Sequence, residues 1–367
     1  MKKISLFDTP LSTDSHLKLK EVFESGQLAA GKVVLEFEEA LENTLQLKKP
    51  VVTSDMTSAM TISLKLAGVT NDDEVILAPF TCLASSSAIL NLGAKAVWAK
   101  MDQLWLDPKS CEKLITKKTK AIIIYHLAGY PGPIKEIRKL CDTYNIKMIE
   151  DCNNALLAQI DNILVGTLGD YSIYSFYPNR QVTTIEGGAI VCKRPTDAQR
   201  AIRLRKFGID LDNFRSSNGQ INIDFDVPEI GYSASMSNIN AAIGLESIRG
   251  VKDRNKITFR NAEYIISELD SCETFQAISY EGSKPSFWGL LGYVTDNESF
   301  ITYMALHNIT CSTLHQRNDL YSCFNTEKYE CSQVARLSRN LVAIPVGWWL
   351  KESDLDYIVD KVRRFVS

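Results

Sequence analysis

Between residues 51 and 193 the chain alternates short apolar runs with segments of helical periodicity, and this alternation restricts the fold more than any other feature. VVTS (51–54), DEVILAPF (73–80), KAVWAKM (95–101), TKAIIIYHL (119–127), IKMIEDC (146–152), YSIYSF (171–176) and GAIVCK (188–193) read as strands. TSAMTISLKLAG (57–68), SSSAILNLG (85–93) and PIKEIRKLCDTYN (133–145) read as helices between them, the first ending at Gly68. Apolar strands separated by helices pack as a mainly parallel sheet covered on both faces. Such sheets hold ligands beyond the carboxyl ends of their strands. That rule nominates Phe80, Thr81 and Cys82, the segment from Asp151 to Asn154, and the segment from Ser175 to Gln181 as site residues.

The flanks complete an α/β protein of two lobes. Residues 15–48 read as helical, and 236–269 reads as one long helix with a kink at Gly250. Short strands at 286–294, a helix at 297–308 and a terminal helix at 352–366 give a smaller α+β lobe. The expected division is a large α/β domain over 1–235 and a small domain over 236–367, which 367 residues can support.

Composition excludes several classes. A net charge of −3 gives no electrostatic reason to expect nucleic acid or an anionic membrane as partner. No apolar run approaches the ~18 residues of a membrane span, and MKKISLFDTP has no apolar run of the kind a signal peptide needs. Nine cysteines without a CxxC pair read as reduced thiols, so a cytoplasmic location is expected. With four histidines and no Cys/His spacing, no metal site is expected.

The order of segments resembles the DegT/DnrJ/StrS sugar aminotransferases, a branch of the fold-type I pyridoxal-phosphate enzymes. The resemblance runs through SGQLAAGKVVLEFEEAL (25–41), TSAM with the strands that follow (57–98), HLAG (126–129), IEDCNNA (149–155), VGTLGDYSIYSFYPNRQVTTIEGGAIV (165–191), GYSASMSNINAAIGL (231–245) and IPVGWWL (344–350). It implies an aspartate-aminotransferase-like fold with a mainly parallel seven-stranded-type sheet. It also implies a homodimer with the active site at the interface and a nucleotide-diphosphate sugar as substrate.

The resemblance assigns roles residue by residue. Asp151 would pair with the pyridine nitrogen and keep it protonated; as a strand-end residue it could equally cap the following turn. Ser175, Thr57 and Ser58 would contact the cofactor phosphate, Thr57 at a helix N-terminus, where anions are favoured. Cys82 stands where an aromatic residue often stacks on the ring, and Asn154 stands for a glutamine.

The main departure is Arg180. In SFYPNR it stands where the family's S-F-x-x-x-K has the Schiff-base lysine, with Glu186, Gly187 and Gly188 following at the family's spacing. A guanidinium stays protonated and forms no Schiff base. Asp55 and Met56 replace the family's Ser-Gly pair before Thr57, where glycine lets backbone approach a phosphate closely and aspartate repels it. Ser233 and Ser235 replace an Asn and an Arg that reach across the dimer interface. His126 and His315 are the candidates for handling protons. Tyr177, Glu186, Ser233 and Arg317 are the candidates for holding the sugar. Trp348 and Trp349 would stack on a sugar or pack in the core.

Three readings follow. The first is an enzyme acting on a nucleotide-linked sugar of O-antigen or capsule type without a lysine-bound cofactor. Arg180 would then pair with Asp151 or hold an anionic substrate group, with either no cofactor or non-covalent pyridoxal or pyridoxamine phosphate as in dehydratase-like relatives. The second is a catalytically silent nucleotide-sugar-binding or regulatory partner. The third is an ordinary aminotransferase served by another lysine.

Overall fold

The computed structural model describes residues 3–11, 14–324 and 331–366. The alternating segment forms one seven-stranded sheet of β1 (Val51–Thr53), β2 (Glu74–Leu77), β3 (Lys95–Trp98), β4 (Thr119–Tyr125), β5 (Lys147–Asp151), β6 (Tyr171–Ser175) and β7 (Gly188–Cys192), in the spatial order β1-β7-β6-β5-β4-β2-β3. Neighbours from β6 through β3 are parallel, and β7 runs antiparallel to both β1 and β6. In register, Tyr125 on β4 lies opposite Asp151 on β5. The carboxyl ends of the two strands therefore finish level, and residues there meet at one edge of the sheet.

Both faces of the sheet are covered, as its apolar strands require. Val75, Leu77, Ala121, Ile123, Ile149 and Ile173 bury on one face, in one cluster with residues of the helices α3 (Met56–Leu66), α4 (Leu83–Leu90) and α7 (Pro195–Leu204). The alternate residues Ile76, Ile122, Ile124 and Met148 bury on the other, with residues of α5 (Pro108–Leu114) and α6 (Ile134–Tyr144). The N-terminal helices α1 (Ser15–Ser25) and α2 (Lys32–Leu45) pack against α8 (Asn238–Ile248). α2 buries Val34, Phe37, Leu41 and Leu45, spaced three or four apart on one helical face.

The stretch expected as one long helix is two, α8 and α9 (Val251–Glu268). Gly250 separates them at φ 70°, a left-handed conformation that ends α8 outright rather than bending it. The C-terminal lobe adds a three-stranded antiparallel sheet of β8 (Gln276–Ala277), β9 (Leu290–Tyr293) and β10 (Leu341–Ile344), with β9 in the middle. α10 (Asn297–Leu306), α11 (Ser332–Asn340) and α12 (Glu352–Arg363) complete it. The chain's start joins this lobe: Ile4 bridges in parallel to Ile309, and Trp349 Nε1 donates to the Ser5 carbonyl at 3.2 Å. Among the described residues no helix is long and apolar enough to cross a membrane.

Candidate functional site

The carboxyl ends of β2, β4, β5 and β6 bring Cys82, Tyr125, Asp151 and Arg180 together, as the strand-end rule expects. Asp151 is fully buried. Its Oδ1 accepts the Asn153 backbone N–H at 3.2 Å and the Asn153 amide at 2.8 Å, and its Oδ2 accepts the Ser85 hydroxyl from α4. Burial raises its pKa above the ordinary aspartate value against these donors.

A chain of hydrogen bonds lies beside it. Asn154 Nδ2 donates to the Tyr125 hydroxyl at 2.8 Å, and Tyr125 lies 2.8 Å from His315 Nε2. Burial, with the Arg180 charge adding, pushes the His315 pKa down to about 3. The ring is therefore neutral near pH 7, and Nε2 and the Tyr125 hydroxyl share one hydrogen bond. Burial raises Tyr125 well above its usual pKa and also raises the Cys82 thiol, with Asp151 adding to both shifts. Both stay protonated, so Cys82 is no thiolate nucleophile here.

Arg180 reaches this group without pairing to Asp151. Among the described residues no carboxylate lies within 4.0 Å of its guanidinium, which corrects the expected Arg180–Asp151 pair. Nη1 instead donates to Asn179 Oδ1 at 2.7 Å, and the guanidinium carbon lies 4.7 Å from the Trp288 ring centre. Trp288 is itself stacked on Phe7 at 4.0 Å and donates to the Asn179 carbonyl at 2.6 Å. Burial lowers the Arg180 pKa, while Tyr125, Cys82 and Asp151 act the other way.

The start of α3 is occupied by the chain itself. Asp55, rather than Thr57, is the N-cap. Its carboxylate accepts the Ser58 N–H and the Ser58 hydroxyl, both at 2.7 Å, and the Ser54 hydroxyl at 2.8 Å. Gly188 permits this close approach: a β-carbon there would lie 2.7 Å from the Asp55 carbonyl oxygen and 2.8 Å from Met56 Cα. Glu186, two residues earlier and exposed, has its pKa raised by burial and then by Asp55, so a second carboxyl group faces the same end of the pocket.

The remaining candidates fall elsewhere or are engaged. His126 is fully buried: Nδ1 accepts the Gly132 N–H at 3.0 Å and Nε2 lies 3.4 Å from Glu150. Glu150 also accepts N–H groups of Gly166, Leu168 and Gly169. His126 is thus a structural histidine rather than a proton carrier for the pocket. Cys152 lies close enough to this pair for one metal-sized cluster, but the histidine and carboxylate are already spent on backbone amides. Arg317, expected to hold the sugar, makes a bidentate pair with Asp319, with Nε at 3.0 Å and Nη2 at 2.5 Å. The neighbouring Asn318 ties this loop to Thr81 and Ser86. Asn154, expected to reach a cofactor hydroxyl, is turned to Tyr125. Ser175 is buried and accepts the Tyr177 N–H at 3.4 Å, and Tyr177 is 47% exposed. Ser233 is exposed and paired by backbone to Lys206. Tyr125, Ser85 and Trp288 are site residues the sequence reading did not name, whereas Asn179 lies in the Ser175–Gln181 segment that it did.

The sheet order and a pocket at its carboxyl edge define the aminotransferase class of α/β protein. The chain belongs to the DegT/DnrJ/EryC1/StrS aminotransferase family, which it matches over residues 11–363. It is 28% identical over 322 residues to the GDP-perosamine synthase of Vibrio cholerae, covering 87% of this chain and 83% of that one. It is 29% identical to the spore coat polysaccharide biosynthesis protein SpsC of Bacillus subtilis, covering 65% of this chain and 62% of that one. The sugar aminotransferase CalS13 of Micromonospora echinospora superposes at a TM-score of 0.91 with 27% identity, covering 98% of each chain.

The residues present do not fit the pyridoxal phosphate that this family implies. Among the described residues no lysine lines the cleft around Arg180. The Ser58 amide and hydroxyl at the start of α3, where a phosphate would sit, are held by Asp55, with Glu186 beside it. A phosphate entering there meets carboxylates in place of free N–H donors.

Proposed function

We propose that this chain acts on a nucleotide-linked keto- or amino-sugar in surface polysaccharide synthesis, as a homodimer, by a reaction with neither a Schiff base to a protein lysine nor a phosphate-anchored pyridoxal cofactor. The observation that carries this reading is Asp55 capping α3 with three hydrogen bonds from Ser54 and Ser58. The family and the GDP-perosamine synthase and SpsC relatives support the sugar-nucleotide part. Arg180 then serves as a fixed positive charge at the pocket floor.

One observation favours a second reading, a catalytically silent nucleotide-sugar-binding partner. The candidate proton carriers at the pocket are held far from neutrality, Cys82 and Tyr125 upward and His315 down to about 3.

The test begins with absorption spectra of the purified protein with pyridoxal or pyridoxamine phosphate, before and after borohydride and desalting. No retained cofactor is expected. A borohydride-fixed band would overturn the proposal, and cofactor retained but not fixed would move it to a dehydratase-like enzyme. Incubation with UDP- and GDP-sugars, followed by mass spectrometry, separates turnover from binding alone.

A further inference from the structure

Buried polar atoms without a partner are uncommon in folded proteins, and four of them belong to residues that line one cleft here. They are Arg180 Nε, Gln181 Oε1, Arg254 Nε and Asn255 Oδ1, between β6, α9 and the C-terminal lobe. Two are guanidinium donors and two are amide acceptors. Trp288 and Trp348 wall the cleft, each beneath one arginine, at 4.7 Å from Arg180 and 5.7 Å from Arg254.

Neither cation has a carboxylate within 4.0 Å among the described residues. Arg180 is fixed by Asn179, and Arg254 by the carbonyls of Arg249 at 2.7 Å, Gln181 at 3.0 Å and Ser247. Burial lowers the pKa of both, as expected of positive charge without a formal counter-ion. Asp8 also lines the cleft, but it is exposed and its Oδ1 takes the Thr9 N–H at 2.9 Å. The cavity is about 30 Å³. One water needs ~10–15 Å³ on this measure, so the space takes two or three such groups: a carboxylate, not a sugar ring.

We propose that this cleft is a carboxylate-binding subsite, with the carboxylate on the Arg180 side and adjoining hydroxyls donating to Gln181 Oε1 and Asn255 Oδ1. The ligand class is a hydroxylated acid of the uronate type. On the reading above that the chain takes a nucleotide-linked sugar, that sugar is a sugar acid, with its ring outside the cavity against Trp348 and Trp349. The fixed guanidinium supplies a charge-assisted contact that a neutral sugar cannot use.

The test is thermal unfolding of the whole protein with glucuronate or glucose at matched ionic strength, then with UDP-glucuronate against UDP-glucose and GDP-mannuronate against GDP-mannose. Glucuronate raises Tm and glucose does not. One acidic nucleotide sugar binds at least tenfold more tightly than its neutral twin. Arg180→Gln abolishes the glucuronate response and Arg180→Lys keeps part of it. If Arg180→Gln does not fold, Asn255→Ala takes its place and weakens glucuronate binding. Equal responses to glucose and glucuronate, or a glucuronate response undiminished in the variant used, overturn the subsite. If acidic and neutral nucleotide sugars bind equally, the subsite fails and the nucleotide-sugar reading stands. If glucuronate binds through Arg180 but no nucleotide sugar binds, the subsite stands and that reading fails.

Discussion

Replacing Asp55 by alanine separates the two things its carboxylate does. It caps α3, and it fills the place of an anion. As a cap it accepts the Ser58 N–H and hydroxyl at 2.7 Å and the Ser54 hydroxyl at 2.8 Å. Loss of an N-cap of this kind costs about 1–2 kcal/mol, a fall of roughly 1–3 °C in Tm for a chain of this length. As an anion it repels an incoming phosphate. At ~4 Å and an effective dielectric of ~20, one unit of negative charge meets about 4 kcal/mol of repulsion, close to a thousandfold in affinity. Asp55→Ala should therefore be less stable than the parent protein in phosphate-free buffer. Inorganic phosphate or pyridoxal phosphate should then raise its Tm at concentrations that leave the parent unmoved. Differential scanning fluorimetry across a phosphate series, with sulfate and chloride as controls, measures both effects. An unchanged Tm without phosphate refutes the capping argument. Equal phosphate responses in the two proteins refute the claim that Asp55 blocks the cradle.

Other consequences are open to direct test. Arg180→Lys alone should give no borohydride-fixed cofactor band, whereas Arg180→Lys combined with Asp55→Ala should give one, read by absorption after desalting. Gly188→Ala should lose about 1–3 kcal/mol in urea unfolding, because the new methyl meets the Asp55 carbonyl at 2.7 Å. His315, neutral when folded with a pKa near 3 and near 6.5 when unfolded, makes the unfolded chain the better proton binder between those values. Stability should fall as pH drops from about 6.5 toward 3, and His315→Gln should flatten that slope in denaturation measured across this range. Glu150→Ala strands the N–H groups of Gly166, Leu168 and Gly169, at about 1–3 kcal/mol for each buried orphan. It should cripple folding, seen as a large loss of soluble protein or of Tm.

The seven strands and the edge of the sheet that holds the site were legible because short, nearly continuous apolar runs, broken by helices, leave few alternatives. What was not legible turned on single residues. Residues 236–269 read as one helix because the pattern continues through Gly250, and only its φ of 70° breaks it. Residues 286–294 read as strand, but β9 begins at Leu290, since Phe287 sits at φ 48° and Trp288 turns to Arg180. In the site, His126 was preferred to its neighbour. Tyr125, the last residue of β4, faces the pocket, while His126 is drawn away to Glu150. Arg317 sits only two residues from the Asp319 that neutralises it, a local pairing composition alone did not weigh. Ser85 meets Asp151 across 66 residues and Trp288 meets Asn179 across 109, contacts that only the fold creates.

The attachment of residues 4–6 to the C-terminal lobe bears on how the chain is made. Ile4 pairs with Ile309, Ser5 takes the Trp349 indole, and Leu6 buries with the C-terminal strands. At ~5–20 residues per second, roughly 20–70 s of translation separates these partners. Residues 4–6 therefore leave the ribosome well before the partners they pack against. Short N-terminal deletions should therefore act as lesions of the C-terminal lobe, and a tag fused ahead of Ile4 is placed at a seam rather than at a free end.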